Sequence, residues 1–406
     1  MTRRPARDKR AQPKLAAPSA AGYRALGPYA RTRLVEKALG QTLSLDVPAD
    51  VFATQRIDDG TLLLLQHLPE GEPRSLLDLG CGYGALGLPV AARWPKARAL
   101  LVDRDLLAVA AADHNARALG LANVEVRAGL GYRGIEGPFD WVLCNVPARI
   151  GPQAIRYIIE GGRALGELRI VVIRDLQPQV DTVETARRIA LGPRHAVYAA
   201  SALPGLVPAP RPRSLAIDGE PDDASVYARD QTRFSGLTLD RPHDASEDPA
   251  HAARLLVLAD ALPRLSPASV LCFRSGYGAL PLFARSRWPL ARVVAQERDL
   301  LDTDFIRRNA RALGLPVEVR ESLFPGDGPF ALVLGELSPS AGEAVAAREL
   351  SEALLALAPG GQGLVLLSEK MEREWFPQAV PRGAQASILL RREGASVLRI
   401  SRSRGS

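Results

Sequence analysis

Cysteine is nearly absent from this chain. Three of 406 residues, Cys81, Cys144 and Cys272, share no metal-type spacing and are odd in number, which excludes a disulfide framework and gives no support to a zinc site. Five scattered histidines add no metal pattern, so no metal is expected, and the low cysteine usage points to a reducing cytoplasm. Long apolar runs are missing too. The stretch TLLLLQHLP at 61–69 falls far short of the roughly 18 to 20 residues a membrane span needs, so no membrane partner is expected. The N-terminus is basic with no apolar segment behind it, which argues against a secretory signal. What is present is the composition of a soluble globular protein, 47% apolar and 24% charged, in a chain long enough for two domains.

The formal charge of +7 is unevenly placed. Residues 1–37 carry ten basic and two acidic side chains, 10 − 2 = +8, so the remainder sums to 7 − 8 = −1. The basicity is therefore an N-terminal arm, residues 1–22, whose Pro- and Ala-rich composition predicts disorder. Such an arm can hold nucleic-acid phosphates, serve as a solubilising tail or act as an organellar transit segment. Arg outnumbers Lys by about nine to one along the whole chain, which favours none of the three.

An internal repeat organises the rest. At a constant offset of 194, SLDVPAD (44–50) lies over TLDRPHD (238–244), GYGAL (82–86) over GYGAL (276–280), and NARALGL (115–121) over NARALGL (309–315). The chain is a tandem duplication, with a first domain at 23–202, a Pro-rich linker at 203–213 and a second domain at 214–406. In the first copy, LLDL, ALLVD, VEVR, DWVLC and RIVVI read as buried strands. The segments 85–94 and 105–119 read as helices, the second with Leu106, Val109, Ala110, Ala116 and Leu119 near its inner face. Apolar strands joined by helical crossovers predict an α/β fold, a doubly wound and mostly parallel sheet in each copy. Its ligand belongs at the C-terminal strand ends.

The loop DLGCGYGALG (78–87) admits two readings. Gly82, Gly84 and Gly87 fit the dinucleotide fingerprint, with Asp103 at a distance suited to a ribose. Including Asp78 and Gly80 gives an acid-x-G-x-G-x-G run, the form typical of S-adenosylmethionine (SAM) sites. There Asp78 would serve an ammonium directly or through water, and Asp103 would accept two ribose hydroxyls. Gly80, Gly82 and Gly84 would bring bare backbone to the ligand, with Cys81 between them and Arg104 beside them.

After the fourth strand the chain reads FDWVLCNVPARIG (139–151), and here it resembles the "small" methyltransferase domain family, in particular the tandem-domain bacterial guanine-N2 ribosomal RNA methyltransferases. The resemblance implies two Rossmann-like class I methyltransferase domains, one degenerate, with SAM as cofactor and RNA as partner. It makes Asn145, with Pro147, the acceptor site for a target amine, and places Phe52 and Arg149 at the substrate. The family pattern N-P-P-F is altered: Val146 replaces the first proline, Ala148 the aromatic and Arg149 a histidine. Leu130 stands where the family has an acid for the adenine amino group. In the second copy Cys272 replaces Asp78, Arg274 replaces Gly80 and Glu336 replaces Asn145, so this copy is expected to fold without binding cofactor. Catalysis is expected in the first copy, the reverse of the family's usual order. The expectation is N-methylation of a nucleobase; a non-catalytic RNA-binding or assembly protein, or a methyltransferase of a small molecule or protein, stay open.

Overall fold

The structure is a computed structural model that describes residues 24–51, 56–202, 223–243, 251–262, 266–338, 340–376, 378 and 380–402. The basic arm, the Pro-rich linker and Phe52 lie outside these residues. No described helix is long and apolar enough to cross a membrane.

The first copy opens with an antiparallel hairpin, β1 (Ala30–Ala38) and β2 (Gln41–Pro48), followed by the short helix α1 (Asp59–Leu65). The strands expected from apolar patterning follow: β3 (Ser75–Leu79), β4 (Arg98–Asp103), β5 (Val124–Ala128), β6 (Trp141–Asn145) and β7 (Glu167–Ile173). Between and after them lie α2 (Gly87–Arg93), α3 (Leu106–Ala118), α4 (Pro152–Leu165) and the single turn α5 (Gln177–Val180), and β8 (Arg187–Leu191) and β9 (His195–Ala200) close the copy. The sheet order is β5-β4-β3-β6-β7-β9-β8, parallel except where β9 runs against both neighbours. The order reverses between β3 and β6, and a crevice opens beyond the carboxyl ends of those strands.

The second copy repeats this arrangement. Its hairpin is β10 (Ala228–Phe234) and β11 (Leu237–Pro242), followed by α6 (His251–Asp260). The sheet comprises β12 (Ser269–Phe273), β13 (Arg292–Glu297), β14 (Glu318–Glu321), β15 (Phe330–Glu336), β16 (Leu357–Ser368), β17 (Ala384–Arg392) and β18 (Ala395–Arg402), in the order β14-β13-β12-β15-β16-β18-β17. Its remaining helices are α7 (Ala279–Arg287), α8 (Leu300–Leu313), α9 (Glu343–Leu355) and α10 (Glu369–Trp375).

The expected inner face of α3 is corrected by the structure. Leu107, Ala108, Ala111, Ala112, Asn115 and Ala116 are buried, whereas Leu106, Val109, Ala110 and Leu119 are only partly covered. The cause is the hairpin, whose β2 packs on α3 in addition to the sheet strands β4 and β5. Asn115 is the key to that contact and is invisible to an apolar pattern. Its Oδ1 accepts from Asp46 N–H at 2.8 Å, and its Nδ2 donates to the carbonyls of Asp46 at 3.0 Å and Tyr83 at 2.9 Å. One fully satisfied carboxamide thus ties helix, hairpin and glycine loop together. Asn309 does the same in the second copy with Asp240 and Tyr277, which explains why NARALGL survives in both.

The copies meet across a pseudo-twofold axis. Asp105 and Asp299 form an antiparallel bridge; Leu106 N–H donates to the Arg298 carbonyl at 3.1 Å, and Leu300 N–H to the Arg104 carbonyl at 3.0 Å. Side chains reciprocate: Arg104 Nε lies 3.2 Å from Asp299 Oδ2, and Arg298 Nε 3.2 Å from Asp105 Oδ1. Each pair maps onto the other by the repeat offset, the signature of an isologous interface. The lead-in turns cross over, so that Gly27–Tyr29 packs on α9 of the second copy and Asp223–Tyr227 on α4 of the first. An apolar cluster runs through both copies without a break.

Replacing Asn115 with Ala would remove three buried hydrogen bonds, from the Asp46 N–H and to the Asp46 and Tyr83 carbonyls. We expect a loss of about 3 kcal/mol in unfolding free energy, read from denaturant titration. Replacing the exposed neighbour Arg117 with Ala should change it by less than about 0.5 kcal/mol.

Candidate active site

A cavity of about 910 Å³ occupies the crevice, with walls from both copies. In the first copy Gly80, Cys81, Gly82, Asp103, Arg104, Leu130, Asn145, Pro147, Ala148 and Arg149 all line it, so residues up to 69 positions apart converge as the loop motifs implied.

The glycine loop leaves β3 and is pinned to β4, since Gly80 and Cys81 N–H both donate to the Val102 carbonyl. The glycines have different tasks. Gly80 and Gly82 have positive φ, and a Cβ on either would project into open space, which is the geometry of bare backbone offered to a ligand. Gly84 faces inward, where a Cβ would lie 2.4 Å from the Leu88 side chain, so its role is packing and not ligand approach. Asp103 braces the loop from below: its Oδ2 accepts from Gly82 N–H at 2.8 Å and its Oδ1 from Asp105 N–H at 2.9 Å.

Of the two expected roles of Asp78, direct contact with an ammonium or contact through water, its position disfavours the direct one. It is fully buried behind the loop and is not among the cavity-lining residues. Its Oδ2 accepts from Gly87 N–H at 2.7 Å, while Oδ1 has no hydrogen-bond partner among the described residues. Burial pushes its carboxyl up to about 7, opposed by the Gly87 bond. Arg104, expected at the cofactor, lines the cavity but has its guanidinium in the ion pair with Asp299. Burial also pushes the thiols of Cys81 and Cys144 up, so neither supplies a thiolate nucleophile.

At the end of β6, Asn145 is oriented by groups that carry no motif in the sequence. Its Nδ2 donates to Thr61 Oγ1 at 2.9 Å and to Asp58 Oδ2 at 3.2 Å. Asp58 caps α1 by accepting from Gly60 and Thr61 N–H, and His195 Nε2 stands 3.7 Å from the same carboxylate. A carboxylate can only accept, so the amide nitrogen must face it, and Oδ1 is the acceptor left for a ligand. The cap at Asp58 was legible in principle from its place before an apolar helix; His195 carries no sequence signal. Val146, where the family has proline, uses its N–H to donate to the Val171 carbonyl at 2.9 Å, a bond proline could not make. Pro147, Ala148 and Arg149 are exposed and line the cavity, as does the exposed Arg194. The exposed Ala148 offers no stacking surface, but Tyr227 from the second copy lines the same cavity.

The second copy is closed at the matching places. Arg274 holds a left-handed conformation at φ 48 and directs its guanidinium to Glu349, 3.0 Å away, and to Asp50 of the first copy, 3.5 Å away. Glu336, where the first copy has Asn145, is engaged by His251 at 2.5 Å and by Arg254. Glu297 still braces its loop through Ser275 and Gly276 N–H.

The position of Asp78 gives a pH signature. Its folded value near 7 lies above the roughly 3.9 of an unfolded chain, so the folded state holds a proton that the unfolded state has released between these values. Wild-type stability should therefore fall as pH rises from about 4 to 7. The isosteric Asp78→Asn should lose this component, so that its advantage over wild type in denaturant midpoint grows across that window and levels off above pH 7.

Residues 43–192 match the family model described as methyltransferase small domain. The chain is 36% identical over 151 residues to ribosomal RNA small subunit methyltransferase C of Hahella chejuensis, covering 35% of this chain and 44% of that protein. It is 40% identical over 139 residues to ribosomal RNA large subunit methyltransferase G of Streptomyces coelicolor, covering 32% and 37%. The chain thus spans less than half the length of these curated relatives. Among solved structures, the T. thermophilus 16S rRNA N2 methyltransferase RsmC, in complex with AdoMet and guanosine, superposes with a TM-score of 0.63 at 20% identity, covering 93% of this chain and all of that one. That likeness extends the shared fold across both copies. Residues 43–192, within the first copy, are the part of the chain that matches the methyltransferase small domain family.

Proposed function

We propose that the protein is a SAM-dependent methyltransferase that modifies a nucleobase nitrogen in RNA, with ribosomal RNA as the substrate class, and that the first copy performs the reaction. The observation that carries this reading is Asn145: both hydrogens of its amide are committed to Asp58 and Thr61, which leaves Oδ1 as a fixed acceptor on the wall of a cavity floored by the glycine loop.

The residues present fit the cofactor. Gly80 and Gly82 offer open space above bare backbone, Asp103 keeps lone pairs for ribose hydroxyls beyond its two backbone bonds, and the unpartnered Oδ1 of Asp78 suits an ammonium reached through water. Leu130 supplies an apolar wall without the usual acid. When bound, SAM would provide an electrophilic methyl group on a sulfonium. The protein's task is then to orient a weakly nucleophilic base nitrogen whose lone pair is delocalised into the ring. Asn145 Oδ1 accepts a hydrogen bond from that nitrogen and favours its pyramidal form, and Asp58, His195 and Thr61 keep the carboxamide from turning. Arg149 and Arg194, exposed and lining the cavity, are suited to flanking phosphates. The second copy, with Arg274 and Glu336 in its loop and acceptor positions, is read as cofactor-free.

Asn145→Ala should lower methyl transfer to rRNA by about 10² with little change in affinity for S-adenosylhomocysteine, as expected of a group that acts on the transition state. Gly82→Arg should abolish that affinity, measured by calorimetry, and Cys272→Ala should leave it intact. Cofactor binding without transfer to any cellular RNA would instead support a non-catalytic RNA-binding protein.

Arg149→Ala and Arg194→Ala together should weaken RNA binding for all sequences alike. They should also reduce the slope of log affinity against log salt by about 0.7 to 0.9 for each phosphate that is no longer neutralised. An unchanged slope would assign phosphate binding to the basic arm.

A further inference from the structure

Arg298 repeats Arg104 in the second copy, yet its guanidinium serves the first copy on two sides. Nε lies 3.2 Å from Asp105 Oδ1, Nη1 lies 3.2 Å from Asp50 Oδ2, and Nη2 donates to the Asp50 carbonyl at 3.0 Å. The side chain is largely buried and lines the shared cavity. Asp50, which follows the hairpin, is held on its other side by Arg274 and by the hydroxyls of Ser338 and Ser340. Asp105 leads inward: its N–H donates to Asp103 Oδ1, and Asp103 Oδ2 accepts from Gly82 N–H. A continuous path of polar contacts therefore joins a second-copy cation to the carboxylate beneath the first copy's glycine loop.

The charges make this path consequential. Asp103, Asp105 and Asp299 crowd the end of β4 and the interface, and Arg104 is paired with Asp299. Arg298 is the cation paired with Asp105. Burial pushes the Asp105 carboxyl up to about 6 even with Arg298 beside it. Without that partner, a buried charge would face Asp103 and Asp299 and would have to take up a proton or turn away.

We propose that Arg298 is a positioning residue for the first copy's cofactor: through Asp105 it sets the ribose-side carboxylate Asp103, so that the copy whose own loop is closed by Arg274 completes the binding site of the other. This rests on reading the first cavity as a SAM site. It gives the second copy a task in binding that its own sequence no longer performs for itself.

The test is calorimetry on the full chain with S-adenosylhomocysteine and with adenosine, which carries the ribose but no amino-acid half. Arg298→Met should weaken both ligands by a similar factor, about tenfold, and raise KM for SAM more than it lowers kcat. Arg298→Lys should recover only part of the loss, because one ammonium cannot reach Asp105 and Asp50 together. Should Arg298→Met not fold, the comparison moves to Arg298→Lys and Asp105→Asn; Asp105 Oδ1 caps α3 by accepting from Leu107 N–H, and an asparagine amide oxygen can do the same. The double variant should then bind no more weakly than the worse single one. Wild-type affinity in the Arg298 variants, loss confined to S-adenosylhomocysteine, or simple additivity of the two changes would each overturn the proposal. A wild-type protein that binds neither ligand would instead overturn the methyltransferase reading itself.

Discussion

The reciprocal contact between Arg104–Asp105 and Arg298–Asp299 is the constraint around which the molecule is arranged. Each arginine follows directly on the acidic end of the second strand of its own sheet, where a ribose-binding carboxylate belongs, and each reaches an aspartate of the other copy. Because the two pairs are related by one pseudo-twofold operation, neither site can shift without disturbing the other. The backbone exchange at Leu106 and Leu300 fixes the starts of α3 and α8 at the same point. Two ends of sheet, two helix N-termini and one shared cavity therefore come to rest on a few buried charges.

Such an interface is what a symmetric dimer would leave behind once its two chains were joined. After fusion the copies no longer needed to remain equal. At the position of Gly80 the second copy carries Arg274, whose side chain finds Glu349 within its own domain and Asp50 from the other. At the position of Asn145 it carries Glu336, which is hydrogen-bonded to His251 and ion-paired with Arg254. Both changes insert charge into a buried site, and both are matched locally by opposite charge, so the closed copy keeps its fold. The identical repeat NARALGL is structural. Asn115 and Asn309 bind hairpin to glycine loop in both copies alike.

The altered acceptor loop shows how far a motif can drift while its geometry holds. Val146 replaces a proline but adds a strand-like bond to Val171, and Leu337 makes the equivalent bond to Leu366 in the second copy. The chain direction after β6 is therefore set by the sheet, and the proline was not needed to turn it. What the loop does require is an oriented Asn145, and that comes from Asp58 and Thr61, some 84 to 87 residues earlier in the chain.

The sequence by itself determined the duplication, the five apolar strands of the first sheet and the glycine loop with its two acids. These are local in sequence: apolar periodicity, bare backbone and a constant offset are written in contiguous residues. It also located Asn145, and it separated the copies through Cys272, Arg274 and Glu336. Tertiary structure alone decided the inner face of α3, which turned toward the hairpin because Asn115 and His114 carry that contact through polar atoms. It alone placed Asp78 behind the loop, and it brought His195, Tyr227 and Arg298 to the cavity from distant segments. Those residues gain their meaning from charges and hydrogen bonds between segments far apart in the chain, and a partner some 190 residues away leaves no periodicity for a sequence to display.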